Sequence, residues 1–210
     1  MSKIAQNQLF TLHYSPVWRG VWDKGHIERN RKLYDFELVV FLEGGAVVTT
    51  EAGRFVCRAP SALVIPPGMS HATAATSRVE RGCIHFCWFG EAMPQEHWIF
   101  GDDPVRVFQP EKTAAIPETG VAFPWFVPEL PAELLTLSRR FFFRSGDSPA
   151  ERLDRQGILY SLLGGILEQL HHRGSGAQTS APSLRFLKAK HRIERDFTDP
   201  RLGVRRIAGE

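Results

Sequence analysis

The side chains with the most chemistry to offer lie in the first half of the sequence, at Arg31, Glu37 and His71. A guanidinium beside a carboxylate in a pocket can hold a carboxylate, a sugar hydroxyl or a similar polar group through forked hydrogen bonds. The simpler alternative is that Arg31 pairs with Glu37 or points outward at the end of a strand. A Pro-Pro-Gly turn fixes the approach to His71, which suits a structural histidine as well as a binding one.

Short apolar runs interrupted by Gly or Pro must position these residues. Breaks at intervals of about 8–12 residues are typical of an antiparallel sandwich or barrel. The fold class expected is mixed, with an antiparallel β-barrel of the jelly-roll type first and helices after it. The clearest predicted strands cover a run near 34–43 and then residues 46–50, 54–58, 62–65 and 81–89.

The strand at 81–89 alternates regularly, which places Cys83, His85 and Cys87 on one face. These types could ligate a metal, but same-face neighbours lie about 6.8 Å apart along a strand, too far to chelate one ion without a bend. We therefore predict no metal here. The candidate residues for a binding pocket are Arg31, Leu33, Glu37, His71 and His85.

Two helices are predicted after the strand-rich block. Pro131 suits the first position of a helix over 132–144. Ser148, Pro149 and Glu151 have the spacing of a capping box, in which the serine caps the helix and the glutamate reaches back to it. The second helix is expected to run from there to His172.

The second predicted helix carries an apolar stripe with the spacing of a packing seam. Two interpretations remain open at this point: the stripe forms a dimer seam, or it packs on the barrel of its own chain. The adjacent Gly164 and Gly165 would let a neighbouring helix approach closely, although each glycine costs about 1 kcal/mol in helix propensity. The dimerisation candidates are Leu159, Leu163, Ile166 and Leu170.

A polar, glycine-rich linker at 174–183 gives the clearest boundary in the chain. The segment that follows it, 184–210, holds eight Lys and Arg against four acidic residues, in a chain of net charge +3. This excess indicates either a polyanion partner or a solvated basic helix face. The predicted domains are a barrel with an N-terminal arm at 1–128, a helical segment at 129–173, the linker, and 184–210.

The composition of the 210 residues fits a globular chain with a buried core, since 43% are hydrophobic and 23% charged. Three cysteines cannot all pair, which favours a reducing compartment. The N-terminus lacks the apolar run of a secretory signal, and no apolar run approaches the length of a membrane span. A cytoplasmic location without a membrane partner is expected.

The spacing over residues 25–44, with the Pro-Pro-Gly turn and His71 further on, resembles the two motifs of the cupin family. In metal-binding cupins these motifs supply two histidines, a glutamate and a last histidine to one ion. Here Arg31 and Leu33 stand at the first two histidine positions, so Glu37 and His71 alone match. The resemblance implies a cupin-like barrel without the metal site, and no cofactor is expected.

The order of the motifs over nearly the whole chain resembles the AraC-type transcriptional regulators. That family places a cupin sensor first, dimerisation helices next and two helix-turn-helix units last. The matching segments are 36–44, 63–71 and 84–86 for the sensor, 131–172 for the helices, and 185–202 with 207–208 for entry into the DNA-binding domain. The residues expected to contact the DNA backbone are Arg185, Lys188, Arg205 and Arg206.

The resemblance implies a ligand-responsive transcription regulator in which this sequence supplies sensing and dimerisation. The DNA-reading helices are not in the sequence, so DNA binding is expected only in a longer form. The expected partners are a small effector such as a sugar or carboxylate, and a second copy of the chain. Alternatives are a metal-dependent cupin enzyme, disfavoured by Arg31 and Leu33, and a dimerising module that modulates full-length regulators; no enzymatic activity is expected.

Overall fold

The computed structural model describes residues 13–88, 99–100, 108–117, 119–144, 146 and 148–174. These residues form ten strands, one short 3₁₀ turn and two helices. The strands are β1 (His13–Trp22), β2 (Ile27–Lys32), β3 (Phe36–Glu43), β4 (Gly45–Thr50), β5 (Gly53–Arg58), β6 (Ser61–Ile65), β7 (His71–Ala75), β8 (Val79–Cys87), β9 (Ile99–Phe100) and β10 (Trp125–Val127).

The strands make two five-stranded antiparallel sheets with the orders β1-β8-β3-β6-β10 and β5-β4-β7-β2-β9. Successive strands repeatedly change sheet, as in a jelly roll. The predicted antiparallel barrel followed by two helices is therefore confirmed, and each predicted strand is found within two residues of its expected bounds. The predicted DNA-binding segment at 184–210, with Arg185, Lys188, Arg205 and Arg206, lies outside the described residues.

The strands of the first sheet are buried on both faces. Along β3, Phe36, Leu38 and Val40 belong to an outer core shared with the two helices. The alternate residues Val39 and Phe41 belong to an inner core shared with the second sheet. Because side chains alternate along a strand, this register also turns the residue between Phe36 and Leu38 inward. That residue is Glu37.

The helices are α1 (Ala132–Phe143) and α2 (Pro149–Gly174). Pro131 is the N-cap of α1, whereas it was predicted to occupy the first helical position. The capping box at the start of α2 is confirmed, because the Ser148 backbone N–H donates to Glu151 Oε2 at 3.0 Å and the Glu151 N–H donates to Ser148 Oγ at 3.3 Å. The hydroxyl and the backbone N–H of Ser148 both donate to the Glu151 carboxylate and lower its pKa.

The apolar stripe of α2 is used inside the chain. Leu159, Leu163 and Ile166 are almost completely buried in the outer core, and Leu170 packs against its margin. A seam between two copies would have to pull these side chains out of that core. Of the two interpretations left open, packing of the stripe on the chain's own barrel and on α1 is the one observed.

The chain divides into two units at the end of α2, after Arg173. Within the described residues, neither helix combines the length and the apolar character needed to cross a membrane.

The two adjacent glycines of α2 give a first prediction, because they differ in their surroundings. A Cβ on Gly164 meets no atom within 4 Å, whereas a Cβ on Gly165 would lie 2.5 Å from Leu134 Cδ2 of α1. Gly164→Ala should stabilise the protein by about 0.4–1 kcal/mol, and Gly165→Ala should destabilise it by about 1–3 kcal/mol through overpacking.

Urea denaturation of the two variants beside the wild type measures both effects. Equal changes in the free energy of unfolding would contradict the close packing of α2 on α1 at Gly165.

Candidate functional site

Seven charged or titratable side chains meet between the two sheets, and we call them the interior charge cluster. Glu28 and Arg31 come from β2, His71 from β7, and these strands belong to one sheet. The other members lie on β3 and β8 of the opposite sheet or directly before β3. All seven are buried except for a partly exposed Glu28: Glu28, Arg31, Asp35, Glu37, His71, Arg81 and His85.

Arg31 is the centre of the cluster, and each of its three guanidinium nitrogens donates to a different residue. Nη2 lies 2.6 Å from Glu37 Oε1, Nη1 lies 2.7 Å from Glu28 Oε1, and Nε donates to His71 Nε2 at 3.0 Å. A shift of register in β2 between Glu28 and Arg31 allows two residues three apart to meet on one side of the strand. The alternative that Arg31 pairs with Glu37 is thus the observed one.

His71 is held between Arg31 and the backbone. Its Nδ1 lies 3.1 Å from the carbonyl oxygen of Met69, which can only accept a hydrogen bond, so Nδ1 carries a proton. In the neutral ring Nε2 is then an acceptor, and it receives the hydrogen bond from Arg31 Nε. Glu37 Oε2 lies 3.2 Å from the same Nε2 and obtains no proton from it in this tautomer.

Glu37 is therefore a half-satisfied carboxylate. Its Oε1 accepts from Arg31, but within the described part of the chain no donor hydrogen-bonds to its Oε2. The side chain is 1% exposed. A buried acceptor without a donor costs about 1–3 kcal/mol, and more when it is charged, so this oxygen is the least expected feature of the cluster.

Asp35 and His85 form a second pair beside Glu37. His85 Nδ1 lies 3.1 Å from Asp35 Oδ1, and His85 Nε2 lies 3.8 Å from Glu37 Oε1. The imidazole of His85 therefore stands between two carboxyl groups, one on each side.

Arg81 extends the cluster toward β1. Its Nη2 lies 3.1 Å from both carboxylate oxygens of Glu28, and its guanidinium stacks 3.5 Å above the ring of Trp22. Its Nε and Nη1 have no acceptor among the described residues. The salt bridges Arg31–Glu37 and Arg81–Glu28 both run from one sheet to the other.

The cluster shifts the ionisation of its members. Burial disfavours the charge of Glu37, but Arg31 together with His71 and His85 outweighs burial and holds the pKa of Glu37 well below its usual range. Burial likewise opposes the charge of Arg31, yet Glu37 and Glu28 raise its pKa. For Asp35, burial dominates over His85 and raises the pKa. Burial also raises the pKa of Cys83, a free thiol on the inner face.

Four of the five predicted pocket residues come together in this cluster: Arg31, Glu37, His71 and His85. Leu33 is buried but belongs to no polar contact of the cluster that we observe. Cys87 does not share the inner face with Cys83 as predicted, because it packs in the outer core at the end of β8.

Sequence reasoning missed Glu28, Asp35 and Arg81. Arg81 follows the same alternation as Cys83 and His85, so the strand pattern contained a signal for it. Glu28 had no such signal, because its contact with Arg31 depends on the irregularity in β2.

The metal site of the cupin pattern does not fit these residues. The Arg31 guanidinium contacts both Glu37 and His71, the two residues that match the ligand pattern, and brings a positive charge to them. Among the described residues, no three His, Cys, Asp or Glu side chains are placed to hold one ion.

Comparison with known proteins gives partial structural likenesses. A cupin superfamily protein from Desulfitobacterium hafniense matches 36% of this chain and 76% of its own, at 17% identity and a TM-score of 0.32. A conserved protein of unknown function from Streptococcus pyogenes, SPY1581, matches 36% and 74%, at 18% identity and a TM-score of 0.31. An oxalate decarboxylase from Bacillus subtilis matches 41% of this chain and 24% of its own, at 17% identity and a TM-score of 0.36.

No protein-family model and no curated protein matches the sequence. The likenesses just given concern the barrel fold and carry no activity or ligand to this chain.

Removing the central cation tests the energetics of the cluster. Arg31→Met leaves Glu37 buried without its cationic partner, and breaking a buried pair in this way destabilises a protein by about 3–5 kcal/mol. Urea denaturation at neutral pH measures the loss. The matched control is Arg19→Met, which breaks the more exposed pair with Glu80 and should cost no more than about 1 kcal/mol.

Adding Glu37→Gln to Arg31→Met should restore part of the lost stability, since the uncompensated charge on β3 is then gone. A double variant with the summed loss of the two single variants would contradict the direct coupling of Arg31 and Glu37.

The opposite pKa shifts of Asp35 and Glu37 predict opposite pH dependences. The pKa of Asp35 is raised above its unfolded value of about 3.9, so its contribution to stability is present below that value and lost as the pH rises through the raised pKa. Asp35→Asn removes this loss, and the variant should therefore gain stability relative to wild type as the pH rises from about 4 toward 7.

Glu37 has the reverse sign. Its pKa is depressed below the unfolded value of about 4.3, so its contribution is complete above that value and lost as the pH falls. Glu37→Gln should lose stability relative to wild type as the pH rises toward about 4.3. Urea denaturation across this pH range measures both variants, and the same sign of pH dependence for both would refute the assignment.

Proposed function

We propose that this chain is the sensor and dimerisation region of a ligand-responsive transcription regulator of the AraC type. A small polar effector binds between the two sheets at the interior charge cluster. The proposal assigns no catalytic activity to the chain.

The observation that supports effector binding is the half-satisfied Glu37 inside a barrel whose interior is charged. Taking ions out of water costs several kcal/mol for each ion, and an apolar interior would serve stability as well or better. Groups with strongly shifted pKa values collect at functional sites more often than elsewhere. Glu37 and Asp35, shifted in opposite directions within one cluster, fit a binding site better than a purely structural interior.

The assignment to a regulator is supported by the order of the parts. A cupin-like barrel is followed by two helices, and the sequence then has the linker at 174–183 and the basic segment at 184–210. This order resembles the AraC-type family, in which the last part reads DNA. The effector would act by binding one of two arrangements of the barrel more tightly, because only a difference in affinity can shift a population.

Dimerisation remains part of the proposal, but with another surface than the predicted seam. Leu153 and Tyr160 of α2 are exposed apolar side chains that lie beside the buried stripe and on one face of the helix. The oligomeric state in solution, measured by sedimentation, tests this part of the proposal separately from effector binding.

Thermal shift against a panel of small polar metabolites, followed by calorimetry of each hit, tests effector binding. A ligand at one hundred times its dissociation constant stabilises the folded state by about 2.7 kcal/mol, which gives a clear shift of the melting temperature. Arg31→Lys keeps the charge but loses the fork that positions Glu28, Glu37 and His71, so it should weaken binding. Arg19→Met, at the surface, should leave binding unchanged.

Absence of any hit across sugars, alcohols, amines and organic acids would refute the sensor. For a hit, a DNA-binding assay on a longer form of the protein, with and without the ligand, then tests whether the ligand controls DNA binding.

A further inference from the structure

We infer that the interior charge cluster binds an effector that carries a hydrogen-bond donor, either a hydroxyl or an amine. This donor of the effector hydrogen-bonds to Glu37 Oε2. A carboxylate held by Arg31, the chemistry that the sequence suggests first, is not the anchor. The inference rests on the proposed function and names the ligand chemistry of the same site.

The first observation is that Arg31 is already engaged. Each of its three nitrogens donates to a protein acceptor at 2.6–3.0 Å, and two of these acceptors are carboxylates. A carboxylate ligand would have to compete with Glu37 and Glu28 for the same guanidinium. Glu37 would then be a buried anion without its partner, a state that costs several kcal/mol.

The second observation is the unsatisfied oxygen. Glu37 Oε2 is buried and has no donor within the described residues, although it belongs to a carboxylate whose charge Arg31 stabilises. The neighbouring His71 cannot supply the donor in its neutral form, since its one proton faces the carbonyl of Met69. A hydroxyl or amine placed at Oε2 would complete the hydrogen bonding of Glu37 without breaking an existing bond.

The charge balance agrees with this choice. The cluster has three carboxyl groups, on Glu28, Asp35 and Glu37, and two guanidinium groups, on Arg31 and Arg81. An anionic ligand would add repulsion from the carboxylates of Glu28 and Glu37, whereas a neutral or cationic donor would not. Both uncharged hydroxyl ligands and amines satisfy this condition, and the experiment separates them.

Two matched sets of probes test the inference, because each set keeps one carbon skeleton and changes one group. The sets are benzyl alcohol, benzylamine and benzoate, and cyclohexylmethanol, cyclohexylmethylamine and cyclohexanecarboxylate. Thermal shift and calorimetry on the wild type should give binding of the alcohol or amine member at least tenfold tighter than that of the carboxylate member of its set. The member that binds better within a set distinguishes a hydroxyl from an amine ligand.

The variant Glu37→Gln supplies the decisive contrast. Its amide oxygen can still accept from Arg31 Nη2, while its NH₂ replaces the acceptor Oε2 with a donor. Binding of the donor probes should weaken by about tenfold to a hundredfold, the range expected for loss of a hydrogen bond to a charged group. Glu80→Gln is the matched control: it makes the same substitution at a carboxylate that pairs with Arg19 outside the cluster, and donor binding should change less than threefold.

Two results would overturn the inference while the proposed sensor stands: tighter binding of the carboxylate members to the wild type, or donor binding to Glu37→Gln that is no weaker than donor binding to Glu80→Gln. No binding by any member of either set, with no hit in the metabolite panel, would remove the sensor function itself and this inference with it.

Discussion

The ion pair between Arg31 and Glu37 is the interaction around which the barrel is organised. It joins a strand of one sheet to a strand of the other at 2.6 Å, and both partners are almost fully buried. A pair in such a position is stable only when the remaining hydrogen-bonding groups also find partners. Arg31 meets this condition through Glu28 and His71. The other members of the cluster surround these contacts.

The space between the two sheets therefore has an apolar part and a charged part. Toward one end, Val39, Phe41, Leu63 and Ile65 fill the space between the sheets with apolar side chains. Around Glu37 the same space holds charged groups with shifted pKa values. The apolar part stabilises the barrel, and the charged part weakens it unless something further completes Glu37. The apolar and the charged side chains thus occupy different parts of one interior.

The helices complete the fold by covering the outer face of the first sheet. Leu159, Leu163 and Ile166 of α2 reach the same outer core as Phe36 and Leu38 of β3. The backbone of β3 therefore lies between two cores, and its side chains point alternately toward the helices and toward the space between the sheets. In the proposed sensor, a ligand that moves Glu37 would act on a strand that also contacts the helices.

Local sequence patterns were sufficient to predict the strands and the start of α2. Alternation and turn residues placed the strands, because side-chain period and glycine conformation are local properties: Gly44, for example, has φ of +71° at the predicted turn after β3. The capping box placed the start of α2 for the same reason. The spacing of Arg31, Glu37 and His71 also indicated a shared interior.

The contacts within the interior charge cluster and the partner of the apolar face of α2 depend on the tertiary structure. The contact of Glu28 with Arg31 depends on a register shift in β2, and the pairing of Arg81 with Glu28 depends on how two sheets stack. The stripe on α2 was equally suited to a dimer seam and to its own barrel, since apolar periodicity reports that a face is buried and not what buries it. The free oxygen of Glu37 follows from the tautomer of His71, which the Met69 carbonyl sets through a contact that no sequence pattern encodes.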